Sequence, residues 1–409
     1  MMPPMGRECC QSLMPEIVSN LPHNVIDVIL IHFPCKDAVR TSVLSKKCWY
    51  HWCRRTDLTL DESLWKKRED SDPTVRFREI IYQPLTLHEG PITKFTLDIV
   101  HLTRFPEIDN FIYFLRNHIQ DLVLHLPLGK QYTLPSTLFT CSQLRHLKLH
   151  SCSIYHPYAF EGFDKLISLE LCGISTSSEL LESLISHCPL LEQLEMSILD
   201  DLEMIEINAP VLKWFSFTGD ISSICLKNVP RLVEATLLGD IEHTKSLDFA
   251  KIFESCSPLE QLSLNLFDLE FIAEEGYKVP RRLPFNLNNV RRFDVPDIFL
   301  VESFKLLYIL CLLRCFPYFK KKILKCRFVL IDEDDSDIDE DEESTEGSLQ
   351  PKTLSDLTFN HLVEFQLRSF IGGTSEMQCI KHLLANSPML EILPGVVARQ
   401  SRNSSSLRP

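Results

Sequence analysis

Leu144 to Cys152, LRHLKLHSC, is the stretch whose reading decides the fold. Leu147 and Leu149 alternate with His146, Lys148 and His150, so a strand here has one apolar face and one polar face. Leu144, three residues ahead of Leu147, tucks in beneath the apolar face. The same phrase, L-x-x-L-x-L with apolar substitutes, recurs upstream at Ile92/Phe95/Leu97 and Ile119/Leu122/Leu124. Downstream it recurs at Leu166/Leu169/Leu171, Leu191/Leu194/Met196, Leu212/Phe215/Phe217, Leu232/Ala235/Leu237 and Leu259/Leu262/Leu264. Val290/Phe293/Val295 and Leu362/Phe365/Leu367 are later copies. Successive first positions of the first eight copies are 27, 25, 22, 25, 21, 20 and 27 residues apart. That is the period of a leucine-rich repeat, about 20–29 residues. One such unit cannot bury its own apolar side, so neighbours must stack. The uneven spacing places length changes in the segments between strands.

Several of those outer segments read as helices. Ser178 to His187 carries Leu180, Leu181, Leu184 and Ile185 on one face, behind a serine cap. Leu247 to Glu254 and Glu376 to Asn386 follow the same pattern. Each ends near a proline that precedes the next apolar position, as in Cys188-Pro189-Leu190-Leu191. Val301 to Cys315 reads as a further helix, followed by a strand blurred by Lys320, Lys321 and Lys322.

Ahead of the repeats, Ser19 to Trp52 forms a different kind of unit. Asn20 suits a helix cap and Pro22 a first turn, and Val25, Ile26, Ile29, Leu30 and Phe33 then recur at helical spacing up to Pro34. A second helix is expected from about Lys36 to Lys47, with Trp49 and Trp52 closing the unit. So short a stretch buries little surface on its own and needs a neighbour for its apolar stripe. It resembles an F-box, through Leu21-Pro22, Ile29-Leu30, Pro34, Asp37, Val39-Arg40, Ser42-Val43-Leu44-Ser45-Lys46 and a tryptophan. It departs from that pattern at Cys48, which holds the place of the first tryptophan, so Trp49 comes one position late. Residues 357–393, with a Gly-Gly turn and the phrase HLLANSPMLE, resemble the FBD segment of plant F-box/leucine-rich-repeat proteins.

These resemblances imply an α/β fold: a small N-terminal helical F-box, then a leucine-rich-repeat solenoid (horseshoe) with a parallel concave sheet. The expected layout is a helical module at 17–54, a connector at 55–84, the solenoid at 85–331, an acidic disordered loop at 332–352, FBD-like repeats at 353–395 and a disordered tail at 396–409. The implied function is that of a substrate-recognition subunit of a Skp-cullin-F-box ubiquitin ligase, which is not itself an enzyme. Leu21, Pro22, Ile26, Ile29, Leu30, Pro34, Val39, Val43, Leu44 and Trp49 would hold a Skp-type adaptor and, through it, a cullin. A protein target would meet the outward strand positions, chiefly His146, Lys148, His150, Glu170, Glu195 and Trp214, with Ser168, Gln193, Ser216, Thr236, Gln261 and Asn265 beside them. The alternative reading is a repeat scaffold whose F-box no longer docks the adaptor.

Composition narrows the choice further. Of the net charge of −14, ten negative charges lie in Asp332 to Glu343, DEDDSDIDEDEE, which leaves −4 elsewhere and no general nucleic-acid surface. The 15 cysteines are scattered with no CxxC pair and read as buried thiols rather than a disulfide framework. Residues 1–16 have no apolar core of a signal peptide, and the longest apolar run, Leu306 to Leu313, is too short to span a bilayer. A protein of the nucleus and/or cytoplasm, without membrane contact, is expected.

No Gly-rich phosphate loop, GxSxG elbow or HExxH pair occurs, so no catalytic residue and no cofactor is assigned. His146, His150, Cys152 and His156 are the closest approach to a ligand set, with Cys48, His51 and Cys53 behind them. Lys148 lies among the first group and tryptophans flank the second, so neither is taken as a metal site.

Overall fold

A computed structural model gives the fold and describes residues 21–33, 37, 53–64, 88–101, 108–127, 132–155, 160, 162–198, 202–239, 252–253, 255–266, 287–299, 322–329, 362–368 and 374–388. The chain divides into two compact units, Met1–Leu191 with Ser197–Asp200, and Glu192–Met196 with Asp201–Pro409.

The first unit holds strands β1 (Asp57–Leu60), β2 (Lys94–Asp98), β3 (Asp121–His125), β4 (Tyr132–Thr133), β5 (His146–His150), β6 (Cys152–Ser153) and β7 (Ser168–Ile174). Its helices are α1 (His23–His32), α2 (Ile108–Leu115) and α3 (Ser178–Ser186). Strands β1, β2, β3, β5 and β7 pair in that order, all parallel. Register follows the repeat phrase: Leu58, Phe95, Leu122, Leu147 and Leu169 form one line across the sheet, and Leu60, Leu97, Leu124, Leu149 and Leu171 the next. All ten side chains are buried, and so are the leading residues Ile92, Ile119, Leu144 and Leu166. The core of the unit is this stack of apolar lines. Helices α2 and α3 add their own apolar faces, Ile108, Phe111, Ile112 and Leu115 from one and Leu180, Leu181, Leu184 and Ile185 from the other. The α3 cap is Ser177, whose side chain accepts a hydrogen bond from the Leu180 amide at 3.4 Å.

The second unit holds β8 (Gln193–Ile198), β9 (Ile205–Asn208), β10 (Trp214–Thr218), β11 (Ile224–Asn228), β12 (Glu234–Gly239), β13 (Gln261–Leu266), β14 (Arg292–Phe299), β15 (Lys322–Val329), β16 (Leu362–Arg368) and helix α4 (Thr374–Asn386). Its sheet runs β8-β10-β12-β13-β14-β15-β16. Phe215, Ala235, Leu262, Phe293, Leu324 and Phe365 lie on one line of register. Where consecutive phrases are only 21 and 20 residues apart, at 191, 212 and 232, the outer segments are the extended strands β9 and β11, which pair with each other. An extended chain covers ground at about 3.3 Å per residue against 1.5 Å in a helix, so a short spacer closes the circuit as a strand.

The sheet begins inside the 55–84 stretch expected to be a connector. Strand β1 buries Leu58 and Leu60 and pairs along β2. The phrase is disguised there because Arg55 fills the leading apolar position. The same disguise covers β15, where Lys321 leads and Leu324 and Cys326 follow, so the strand blurred by lysines is a full member of the ladder. The end of helix α1 is tied to the start of the sheet, since Arg55 Nη1 donates to the Phe33 carbonyl at 3.0 Å. The acidic run 332–352, the tail 396–409, the helix expected at 301–315 and nearly all of the one expected at 247–254 lie outside the described residues. In the FBD-like segment, β16 and α4 take the expected places.

Two pairs of neighbouring strands share a backbone device near their ends. Ser151 and Gly173, directly after the register pair His150 and Cys172, both have positive φ, 59° and 62°. Gly219 and Gly239 follow the register pair Thr218 and Leu238 with φ of 152° and 141°. At Gly239 a Cβ would sit 2.1 Å from the Gly219 carbonyl oxygen, so both the conformation and the close approach require glycine.

Candidate functional site

Two surfaces correspond to the two halves of the expected function. The first is α1. It starts as the Val25 and Ile26 amides donate to the Pro22 carbonyl, which fits a proline at the helix entry. Ile26 is buried, at 2% exposure, and Leu21 is half-buried. Pro22 is exposed, and Val28, Ile29 and Phe33 remain open at 56%, 37% and 38%. The stripe read from spacing is therefore split, one edge inward and one outward. The side chain of Leu30, and Pro34, Val39, Val43, Leu44 and Trp49 altogether, lie outside the described residues.

The second surface is the polar face of the sheet in the first unit. Strand alternation puts Asp57, Lys94, Asp121 and His146 in one row of register. Acidic and basic side chains alternate along it, with Lys94 3.8 Å from Asp57 and His146 Nε2 3.9 Å from Asp121. At the other end of the strands, Asp98, His125, His150 and Cys172 make a second row. His125 Nδ1 is 3.5 Å from Asp98, and the rings of His125 and His150 meet edge to face at 4.5 Å between centroids. Glu170 joins the middle of the face to this row: Lys148 Nζ is 2.5 Å and His150 Nε2 3.0 Å from its Oε1. Burial pushes the His150 pKa down, and the neighbouring His125 and Lys148 act the same way against the carboxylate. The His150–Glu170 contact is thus chiefly a hydrogen bond from a neutral imidazole. Burial works to raise the Glu170 pKa, but the bonds from Lys148 and His150 outweigh it and hold the group below its ordinary value as an anion.

Of the residues expected to meet a target, His146 is exposed and Lys148, His150, Glu170, Glu195 and Trp214 are partly exposed. His146, Lys148, His150 and Glu170 share the face of the first unit, whereas Trp214 lies in the second, beside Glu234 in register. Ser216 departs from expectation: it is buried at 8% despite its outward phase, between the flanking aromatic positions Phe215 and Phe217. Asn265 has no described side chain. The set His146, His150, Cys152 and His156 does not assemble, because Cys152 is fully buried on β6, whose partner is β4, while His146 faces outward. His156 lies outside the described residues. What the fold does bring together, and spacing along the chain does not reveal, is His150, Glu170 and Cys172, whose ligand atoms lie within 4.8 Å of one another. The register of two strands 22 residues apart is the signal that finds them.

Comparison with known proteins gives a consistent answer. Residues 111–262 match a family model described as the LRR repeats of FBD-associated F-box protein At5g56370. The chain is 31% identical over 392 residues to the F-box/FBD/LRR-repeat protein At1g13570 of Arabidopsis thaliana, covering 92% of this chain and 90% of that relative. It is 28% identical over 298 residues to the F-box/FBD/LRR-repeat protein At3g52680 of the same plant, covering 63% of this chain and 62% of the other. The F-box/LRR-repeat protein At4g14103, also from Arabidopsis thaliana, is 31% identical over 237 residues, covering 53% and 60%.

Proposed function

The chain belongs to the F-box/FBD/leucine-rich-repeat family, and from that membership we propose that it is a non-catalytic substrate receptor of a Skp-cullin-F-box ubiquitin ligase. The observation that carries the proposal is the outward edge of α1. Val28, Ile29 and Phe33 keep apolar surface open on the segment that bears the F-box pattern, and such surface gains from a partner. The Skp-type adaptor would take this edge together with Leu21, Pro22, Ile26, Leu30, Pro34, Val39, Val43, Leu44 and Trp49. A cullin joins through the adaptor.

Target capture falls to the polar sheet face. His146, Lys148, His150 and Glu170 offer it donors and acceptors on a preformed scaffold, with Glu195 and Trp214 in the second unit. Half-buried tryptophans of this kind recur as binding hot spots. Such a receptor works in the nucleus and/or cytoplasm, where ubiquitin ligases of this class act. Among the described residues no helix is long and apolar enough to cross a membrane.

Co-purification of the full chain with a Skp-type adaptor tests the proposal. Wild type should retain the adaptor, and Leu21→Ala/Pro22→Ala should lose most of it. Equal recovery of both would remove the docking role. The alternative, a scaffold whose F-box no longer docks, rests on Cys48 standing where the family's tryptophan belongs. It gains if wild type retains no adaptor and Cys48→Trp does.

A further inference from the structure

We propose that His150, Glu170 and Cys172 form a site for a divalent transition metal of the zinc type on the polar face of the first unit. The proposal goes beyond adaptor docking and stands whether or not this face also holds a target. It rests on the geometry of strands β5 and β7. His150 and Cys172 are register partners, and Glu170 points to the same face because it is two residues before Cys172. His150 Nε2 lies 3.0 Å from Glu170 Oε1, and Cys172 Sγ lies 3.7 Å from the same oxygen. A tetrahedral zinc with bonds of about 2.0–2.1 Å to nitrogen and oxygen and 2.3 Å to sulfur has edges of about 3.3 Å for N···O and 3.5 Å for O···S. The two observed distances fall within a few tenths of an ångström of those edges. Nitrogen, oxygen and sulfur donors from three side chains suit a borderline-soft cation.

The surroundings supply the rest of a metal site. For Nε2 of the neutral His150 imidazole to bind the metal, the ring proton that Nε2 donates to Glu170 moves to Nδ1, so the imidazole stays neutral and releases no proton. Binding displaces the Cys172 thiol proton to solvent, so the uptake of one cation releases about one proton. His125, next in the same row, packs against the His150 ring at 4.5 Å. Its Nε2 is buried without a hydrogen-bond partner, and its Nδ1 lies 3.5 Å from Asp98 Oδ2. His125 lies outside the set of donors within 4.8 Å of one another, so the fourth position of a tetrahedral ion falls to water. Lys148 opposes the site: its ammonium lies 2.5 Å from Glu170 Oε1 and must move to Oε2 or to solvent when a cation enters. Its side chain, 36% exposed, has room to do so.

Titration of the purified full chain with Co²⁺, followed by displacement with Zn²⁺, tests the site. Wild type should develop a thiolate-to-cobalt charge-transfer band and tetrahedral d–d bands, and Zn²⁺ should erase them. Cys172→Ser should lose the charge-transfer band, whereas Cys152→Ser, altered on the buried β6, should keep it. Glu170→Gln should weaken Co²⁺ binding at least tenfold, and Lys148→Gln should strengthen it. Zn²⁺ should also slow alkylation of Cys172 in unmodified wild type, a readout that needs no folded variant. Absence of the band in wild type, its persistence in Cys172→Ser, or alkylation of Cys172 unaffected by Zn²⁺ would each overturn the proposal.

Discussion

At the scale of single residues, burial sets the chemistry of the thiols. Cys141, Cys152, Cys188 and Cys256 are each pushed up to about 12 by burial. The thiolate is the reactive form, and near neutral pH these side chains hold almost none of it. Peptide mapping after brief iodoacetamide treatment of the native protein should find them unmodified, while Cys172, partly exposed on β7, is labelled. Unfolding in denaturant should remove the difference. Gly239 is the other telling residue. Alanine there meets both an unfavourable φ and the Gly219 carbonyl, so Gly239→Ala should lower stability by more than about 1 kcal/mol, read from the denaturant midpoint. Single residues also mark where reading the chain in one dimension fails. Arg55 stands in a leading apolar position and hides β1, and Lys321 blurs β15, because parallel pairing with a good neighbour holds a strand whose own phrase is imperfect.

At the scale of elements, the repeat phrase translates directly into strand register. Leu147 is 2% exposed between Leu122 and Leu169, and Leu147→Ala should cost about 2–5 kcal/mol through lost burial and the cavity left behind. Ser177→Ala should cost about 1 kcal/mol by removing the cap of α3, a smaller change in the same thermal melt. Strands and their inward sides were legible because alternation is a local property of the chain. The outer segments were legible only in part. Helices α3 and α4 announce themselves by spacing, but β9 and β11 are extended because their circuits are short, which local periodicity does not express. The cluster His150, Glu170 and Cys172 was invisible for a related reason: its members converge only after two repeats have stacked.

At the scale of the molecule, the end of α1 is joined to the start of the sheet by the hydrogen bond from Arg55 to the Phe33 carbonyl. A charge on the open edge of α1 should therefore separate the two expected activities. Ile29→Glu should abolish adaptor recovery while leaving the far-ultraviolet circular dichroism and thermal midpoint of the repeats within experimental scatter, since Ile29 is already 37% exposed. A fall in the midpoint comparable to that of Leu147→Ala would mean that α1 is part of the repeat core instead.

The positive-φ corners after the strands carry a consequence for how such a chain changes over time. Each corner is fixed by one residue, Ser151, Gly173, Gly219 or Gly239, and the strand before it keeps register whatever the length of the spacer that follows. At these two pairs of strands the joints match, so a change of spacer length leaves the pairing intact, whereas losing a single residue within a strand inverts its two faces. Variation in the genes of such proteins should accordingly favour changes of spacer length, and the polar faces of the strands can diversify without disturbing the stack beneath them.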